Sequence, residues 1–483
     1  MTVLKNFIFN FLLLISQLLF PITVMPYTNR VLGPRTIGIF NLVDNFAQYF
    51  ITIAALGISV YGVREISKSR NESKEKINKT FSELISINSI LTILVLIVYF
   101  SFVFFNPTVK QNENYYLLGS IQVLMGLFSL EWFFQGLENF KFIAIRTFIV
   151  KALSIVAIFI FVTDVNDGLL YYFITVLTFV LTSVLNILFI TKNIKYQFPS
   201  FLNLKKHIAP LLTFFTTKFM ISIYVTMTTI LLGFLSSDLD VGYFSIAFRI
   251  FNIVVIIVSS LTTVVLSKTA LIATQDKSVY KELLNKIVVF NVFAGLPAAI
   301  LVNLYASEFI YVLGGKLFKP AIFSLKVFSI LIFVLPFSNL FALNILTPLK
   351  REKDFLIATI FGTVISLVLN FLLMPSWGYK GATISFLCTE ITVAVILFYF
   401  AIKHQQFDIE YGFVIKTLLV CVFFIPVFYL VNFWIPNDAV SGAVGLSLSG
   451  LIYLLLQYFI VRNKIIVDVV NMLLTKSKII KIE

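Results

Sequence analysis

Cysteine and histidine are almost missing from this chain, with two of each in 483 residues. Cys388 and Cys421 both lie inside apolar blocks, so no disulfide framework is expected. His207 and His404 fall in basic stretches read as loops, which leaves neither a metal site nor histidine-based catalysis to expect. Charge is scarce too. Asp, Glu, Lys and Arg make up 12% of the residues, about half of the ~25% typical of a soluble domain. So few charges exclude a water-soluble fold of this size. Long polar segments are also lacking, and with them any room for a soluble catalytic or nucleotide-sugar domain. No G-x-x-x-x-G-K-[ST] loop occurs, which excludes ATP hydrolysis by this chain. No secretory signal is expected: Met1–Asn6 carries one lysine, and the following apolar stretch runs into Pro21 and Pro26 without a small-residue cleavage site.

What is abundant is hydrophobicity. Apolar residues reach 59%, 54 of them Phe, and the net charge is +14; the mean hydropathy is +0.98. The apolar residues fall in blocks of about twenty, the length that crosses a ~30 Å hydrocarbon core as an α-helix. Strand-type alternation is absent, and lipid leaves helices as the remaining spanning structure. The blocks predict spans at 7–29, 36–63, 80–104, 115–137, 142–163, 168–190, 208–235, 240–265, 283–313, 318–347, 355–374, 381–402, 413–434 and 440–461. Basic residues crowd alternate breaks, such as Arg64, Lys68, Arg70, Lys74, Lys76 and Lys79. The other breaks carry only Arg30, Arg35, Lys110, Lys316, Lys319 and Lys380. By the positive-inside rule both ends are cytoplasmic, and the same rule accounts for the net charge without nucleic acid.

Leu32-Gly33 followed by Ile37-Gly38-Ile39-Phe40 has a counterpart in Leu232-Gly233 followed by Val241-Gly242-Tyr243-Phe244. Glu138-Asn139-Phe140-Lys141-Phe142-Ile143-Ala144 likewise matches Glu352-Lys353-Asp354-Phe355-Leu356-Ile357-Ala358. A repeat over six helices preserves orientation and predicts a parallel pseudo-twofold axis. The expected fold is therefore all-α and integral to the membrane, N-in and C-in. About fourteen transmembrane helices form two pseudo-symmetric six-helix lobes plus two C-terminal helices. The expected parts are an N-lobe at 1–190, a cytoplasmic linker at 191–207, a C-lobe at 208–402, the last two helices at 403–461, and a basic amphipathic tail at 462–483 that lies on the anionic leaflet.

The run Asn29-Arg30-Val31-Leu32-Gly33-Pro34-Arg35, continuing through Ala55-Leu56-Gly57-Ile58 to Tyr61-Gly62-Val63-Arg64-Glu65-Ile66, resembles the Wzx-type polysaccharide repeat-unit flippases. These belong to the multidrug/oligosaccharidyl-lipid/polysaccharide (MOP) exporter superfamily. Glu131-Trp132-Phe133-Phe134-Gln135-Gly136-Leu137-Glu138 is similar to the same family. The resemblance implies a transporter of the bacterial inner membrane, not an enzyme and without a cofactor. Its cargo would be an undecaprenyl-pyrophosphate-linked oligosaccharide for O-antigen or capsule, moved to the outer leaflet by alternating access. Membrane lipids, a polysaccharide polymerase and a chain-length regulator are the partners it implies. A flippase for the peptidoglycan precursor and a drug/cation antiporter of the same superfamily are the alternatives, and the antiporter calls for an acidic cavity. A membrane polymerase or glycosyltransferase calls for a large loop or domain that is absent.

Charges inside the spans weigh in the same direction, since a charge at the bilayer centre costs ~2.5–3.5 kcal/mol on insertion scales and marks function. Lys218 lies roughly 15 Å into its span and Arg249 roughly 13 Å into the next. Two cations at one depth call for an anion, and a pyrophosphate suits both. Arg30 and Arg35 at the outer mouth, Lys151 and Lys326 in mid-span, and Asn45, which the repeat aligns with Arg249, complete the expected substrate-binding set. Asp44 is the candidate for coupling to an ion, with a structural salt bridge as its plainer role. Glu131, Gln135 and Glu138 are candidates for a cytoplasmic gate, with fastening of the adjacent loop as theirs. Pro21 and Pro26 should bend the first helix.

Overall fold

The computed structural model describes residues 2–462 apart from 274, 406 and 409, and only the backbone of 2–19, 217, 261, 263 and 267. The expected tail beyond Arg462 lies outside the described residues. Among those described, all regular structure is helical, as it must be where lipid offers backbone groups no partner. Among the described residues twelve helices are long and apolar enough to cross a membrane.

The chain divides into two compact units, Met1–Ser245 with Leu369–Ala382, and Ile246–Val368 with Thr383–Glu483. The first contains α1 (Thr2–Ala55), α2 (Ile58–Arg70), α3 (Lys74–Phe105), α4 (Pro107–Lys110), α5 (Glu113–Gly126), α6 (Glu131–Gly136), α7 (Phe140–Phe161), α8 (Gly168–Asn193), α9 (Phe201–Leu235) and the start of α10 (Asp238–Val258). The second holds α11 (Ser260–Val264), α12 (Leu266–Ile272), α13 (Lys277–Leu304), α14 (Ala306–Leu313), α15 (Ala321–Asn339), most of α16 (Glu352–His404), α17 (Tyr411–Cys421), α18 (Phe424–Trp434) and α19 (Asp438–Leu456).

Two helices are far longer than one crossing requires: α1 with 54 residues and α16 with 53. Each leaves helical geometry at a single glycine, Gly33 (φ 72°, ψ 172°) and Gly378 (φ 52°, ψ −130°), where a residue with a Cβ would be strained. The breaks expected at 30–35 and 375–380 are thus reduced to one residue each. Gly378 also admits Asp240, whose carboxylate would lie 2.8 Å from an added Cβ. Asp240 accepts a hydrogen bond from the Tyr379 N–H at 3.3 Å, so a neighbouring helix supplies an acidic cap for the helix that restarts there.

The repeat has a physical counterpart. A Cβ on Gly38 would sit 1.7 Å from the Asp238 carbonyl oxygen, and one on Gly242 would sit 2.0 Å from the Pro34 carbonyl oxygen. The two repeat glycines therefore cross reciprocally, each against the residue four positions before the other. Gly33 and Gly233, also matched by the repeat, do different work: Gly33 supplies a positive φ, whereas a Cβ on Gly233 would strike the Leu42 side chain at 2.5 Å.

Packing is inverted relative to a soluble helix. On α3, Ile90, Ile93, Leu94, Ile97 and Val98 are exposed, while Thr92, Val95, Tyr99 and Val103 are buried. Lipid thus replaces water on the outer face, and polar groups turn inward. Many hydroxyls are satisfied within their own helix by bonding the carbonyl four residues back, as in Ser82 to Asn78, Thr178 to Ile174 and Thr228 to Tyr224. In the second unit, Asn291 accepts from Thr262 (3.3 Å) and donates to the Pro336 carbonyl (3.1 Å). Asn344 donates to the Thr262 carbonyl (3.2 Å) and accepts from Thr269 (2.9 Å). These amides brace the π-helical turn Leu340–Leu346 that follows Pro336.

Because backbone oxygens cannot move aside, Gly38→Ala or Gly242→Ala should destabilise the protein by about 2 kcal/mol or more. Both should lower the melting temperature in detergent and the amount reaching the membrane. Gly412→Ala and Gly450→Ala, where an added Cβ meets nothing within 4 Å, serve as controls and should leave both unchanged.

Candidate functional site

In the first unit a polar chain runs across three helices. Asp44 on α1 accepts from the Gln122 side chain on α5 at 3.1 Å, and Gln122 accepts from the Tyr172 hydroxyl on α8 at 3.3 Å. Gln122 and Tyr172 are buried and Asp44 is half-buried. Gln122 donates to one neighbour and accepts from the other, so a change of charge at Asp44 is felt at a phenol two side chains away. Beside it, the Asn45 amide donates to the Asn41 carbonyl of its own helix at 2.7 Å.

The cations expected to bind substrate fall in several settings. Lys218 on α9 is exposed and donates to the Ser59 hydroxyl at 2.7 Å. It lines a cavity of about 200 Å³ within the first unit. Lys151 on α7 is half-buried, with its ammonium 5.5 Å from the ring centre of Phe20. Arg30 is exposed and bonds back to the Pro26 carbonyl at 2.7 Å. Arg35, also exposed, stands close enough to Asp238 for their charges to interact. Arg249 belongs to the second unit, half-buried on α10, and Lys326 is exposed on α15 of that unit. Among the described residues no group of three His, Cys, Asp or Glu is placed to hold a metal.

Two of the three gate candidates, Glu131 and Glu138, are tied down. Glu131 pairs with Arg146 (2.7 Å) and accepts from Ser129 (2.9 Å). Arg146, only 4% exposed, also donates to Asn186, which in turn donates to the Phe128 carbonyl at 2.7 Å. Glu138 pairs with Arg70 at 2.8 Å, and that guanidinium holds its carboxyl below the usual carboxylate range. Gln135 is half-buried between them on α6.

Two features escaped the sequence reading. Arg146 carries no expected role, and its place within the predicted span 142–163 is the one signal of its burial. His207 is not in a basic loop: it lies in α9, 4% exposed, between the Tyr61 hydroxyl (2.8 Å) and the Glu83 carboxylate (2.9 Å). Glu83 also receives Lys206 at 2.9 Å. The pairing joins α2, α3 and α9, and no local pattern announces it. His404 similarly ends α16 in contact with Asp354 at 2.9 Å.

Helices of this number and composition make the chain a multi-pass membrane protein. A family model described as "Polysaccharide biosynthesis protein" matches residues 3–267, over half of its length, and the chain belongs to that family. It is 25% identical over 396 residues to an Escherichia coli (strain K12) protein named "Putative O-antigen transporter", covering 81% of this chain and 94% of the relative. A Shigella dysenteriae protein of the same name is 25% identical over 403 residues, covering 81% and 98%. Among solved structures, the lipid II flippase MurJ in an inward closed conformation matches with a TM-score of 0.75 at 17% identity, covering 96% of this chain and all of that one. An inward-facing multidrug resistance MATE family transporter of the MOP superfamily matches at 0.63 and 14%, covering 80% and 93%. Both likenesses are of fold, and they agree with the superfamily that the Asn29–Ile66 and Glu131–Glu138 stretches resemble.

Removing Arg146 leaves Glu131 without its ion partner inside a packed junction. Arg146→Met should cost about 2 kcal/mol, below the ~3–5 kcal/mol of a fully buried pair because the Glu131 side chain is 38% exposed. Adding Glu131→Gln should recover part of the loss, measured as melting temperature in detergent. The Arg70–Glu138 tie behaves differently. Its depressed carboxyl makes its contribution present at neutral pH and lost as acidification protonates Glu138. Hydrogen-exchange protection around 137–139, corrected for the intrinsic rate at each pH, should therefore fall at low pH, and also at high salt, which screens an exposed pair.

Proposed function

We propose that this protein is a flippase that carries an undecaprenyl-pyrophosphate-linked oligosaccharide from the cytoplasmic to the outer leaflet of a bacterial inner membrane, for O-antigen or capsule. The observation that carries this reading is Lys218, a cation within a spanning helix that lines a cavity without an acidic residue in its wall. The family match and the name borne by the relatives support the cargo class. An acid-free wall is the wrong sign for cationic drugs, which tells against an antiporter of the same superfamily. The activity is transport rather than chemistry, with a polysaccharide polymerase and a chain-length regulator as downstream partners.

In this reading the chain crosses the membrane fourteen times with both ends inside, counting α1 and α16 as two crossings each. Lobes at 1–190 and 208–402, joined by the linker 191–207, rock about a central site, and the helices within 403–461 stand beside them. Arg249 and Lys218 receive the pyrophosphate. Arg30, Arg35, Lys151, Lys326 and Asn45 guide the head group, and Glu131, Gln135 and Glu138 form the cytoplasmic gate. Outward movement of an anion is favoured by a potential negative inside, at ~2.3 kcal/mol per charge per 100 mV. Asp44, linked through Gln122 to Tyr172, is the place where a proton or sodium ion would couple to the cycle.

Arg249→Ala should reduce export of surface polysaccharide at least ~10-fold, the loss of one charge-assisted contact, at unchanged protein level. Arg249→Lys should be intermediate, because the charge remains without the fork. Wild-type export in Arg249→Ala would remove that residue from the site. Proteoliposomes carrying a lipid-linked oligosaccharide test coupling: flipping that follows an imposed potential and survives Asp44→Asn rests on charge alone. Loss of flipping in Asp44→Asn with substrate binding retained assigns an ion to that carboxylate.

A further inference from the structure

The crossing from α8 to α9 is docked rather than loose. Residues 194–200 form no helix and run along the basic end of α3, where Asn78, Ser82 and Ser86, spaced four residues apart on one face, receive them. The Asn78 carboxamide oxygen accepts from the Lys195 N–H at 3.3 Å, and the Ser82 hydroxyl accepts from the Gln197 N–H at 2.9 Å. Ser86 gives its own hydroxyl hydrogen to the Ser82 carbonyl, so the Tyr196 hydroxyl, 2.7 Å away, donates to Ser86. Beyond Ser86, α3 continues over residues 87–105, roughly 28 Å of helix, enough to cross a ~30 Å hydrocarbon core. Ser86 and the Tyr196 bound to it therefore stand at the edge of the hydrocarbon.

What this docking turns outward is apolar and basic. Phe198 is 93% exposed, more than any other large hydrophobic among the described residues, and Phe201 and Leu202 are 77% and 78% exposed. At the start of α9 His207 and Leu211 are buried, with His207 bound to Glu83 of α3. Phe201, Leu202 and Lys205 fall on the opposite face of that helix. Lys192 and Lys195 are exposed as well. Glu83 takes up Lys206, but among the described residues Lys192, Lys195 and Lys205 are in no ion pair. The sequence offers them no acid between Asp167 and Asp238. Water alone would leave three large apolar side chains uncovered, and hydrocarbon alone would leave three ammonium groups unsolvated. The boundary of an anionic leaflet suits both: the apolar groups enter the acyl chains, and the lysine stems lie along them with their ammonium groups at the phosphates.

We propose that residues 192–205 form an interfacial anchor for anionic lipid. Phe198, Phe201 and Leu202 insert into the leaflet, and Lys192, Lys195 and Lys205 hold the phosphates of head groups such as phosphatidylglycerol. Asn78, Ser82 and Ser86 fix the strap on α3, so that its apolar side chains are presented to the lipid at one depth. The anchor is independent of what the protein transports.

The test uses the full chain with Cys388→Ala and Cys421→Ala, spin-labelled at Phe198→Cys or, as a water-facing control, at Asn71→Cys, an exposed position after α2. Nanodiscs of phosphatidylcholine with and without phosphatidylglycerol are the probes. With phosphatidylglycerol, dissolved oxygen should relax the label at Phe198→Cys at least twofold more than a water-soluble nickel chelate does, and at Asn71→Cys the order should reverse. Most of that preference should be lost without phosphatidylglycerol, or when Lys192→Gln, Lys195→Gln and Lys205→Gln are combined. Tyr196→Phe, which cuts the tie to Ser86, should make the label shallower. If Phe198→Cys lowers the melting temperature, Phe201→Cys takes its place with the same expectation. A label as wet as the control in both discs overturns the anchor. Equal depth in both discs, unaltered by the three lysine substitutions, overturns the choice of anionic lipid. A label that is wet in discs but shielded in native membranes reveals a protein partner and overturns lipid as the occupant.

Discussion

Lipid offers neither hydrogen bonds to a backbone nor solvation to a charge, and every notable feature of this protein answers that constraint. It forces the chain into helices. It turns serine and threonine hydroxyls back on their own carbonyls, as at Ser82 and Thr228. It also forces each charged side chain within the membrane to find a partner, a cavity or an aromatic face. Arg146 finds Glu131 and Asn186, Lys151 finds the Phe20 ring, and Lys218 finds a cavity and a serine. The three solutions differ in consequence. A cation locked in a buried ion pair fastens helices, whereas one that faces a cavity without an acid is available to a ligand.

The same constraint shapes the joints. The chain interrupts its longest helices at one glycine each, Gly33 and Gly378, which leaves few backbone groups without a helical partner, and covers the restart at Tyr379 with the Asp240 carboxylate. Close approach takes the place of hydrophobic burial as the means of joining helices, because lipid competes with any apolar face. The reciprocal crossing of Gly38 on Asp238 and Gly242 on Pro34 is the clearest case. It converts a weak sequence repeat into a pair of equivalent backbone contacts.

Membrane class, helical architecture and family were legible in the chain itself, because each depends on local composition. Blocks of about twenty apolar residues, alternating basic breaks, and the Asn29–Ile66 and Glu131–Glu138 stretches need no folding to be read. Lys218 and Arg249 stood out because each is a charge inside an apolar block. What surrounds a charge is not legible in that way. Arg146 drew no expectation and is among the most buried cations; His207 looked like a loop residue and bridges Tyr61 to Glu83; Gln122 and Tyr172 gave no sign that they extend Asp44.

What the sequence by itself determined is how this protein meets the bilayer, since hydrophobicity and charge act residue by residue against a solvent of known thickness. Only the tertiary structure decided which polar groups satisfy one another and which are left facing a cavity. Pairing depends on the rotation and crossing of helices far apart in the chain, such as α6 with α7 for Glu131 and Arg146, or α1, α5 and α8 for Asp44, Gln122 and Tyr172. The Trp132 N–H is the sharpest instance. The residue belongs to a stretch whose sequence resembles a family, but that its donor is buried without an acceptor among the described residues while the ring packs on Gly62 depends on helices brought together only in the folded chain.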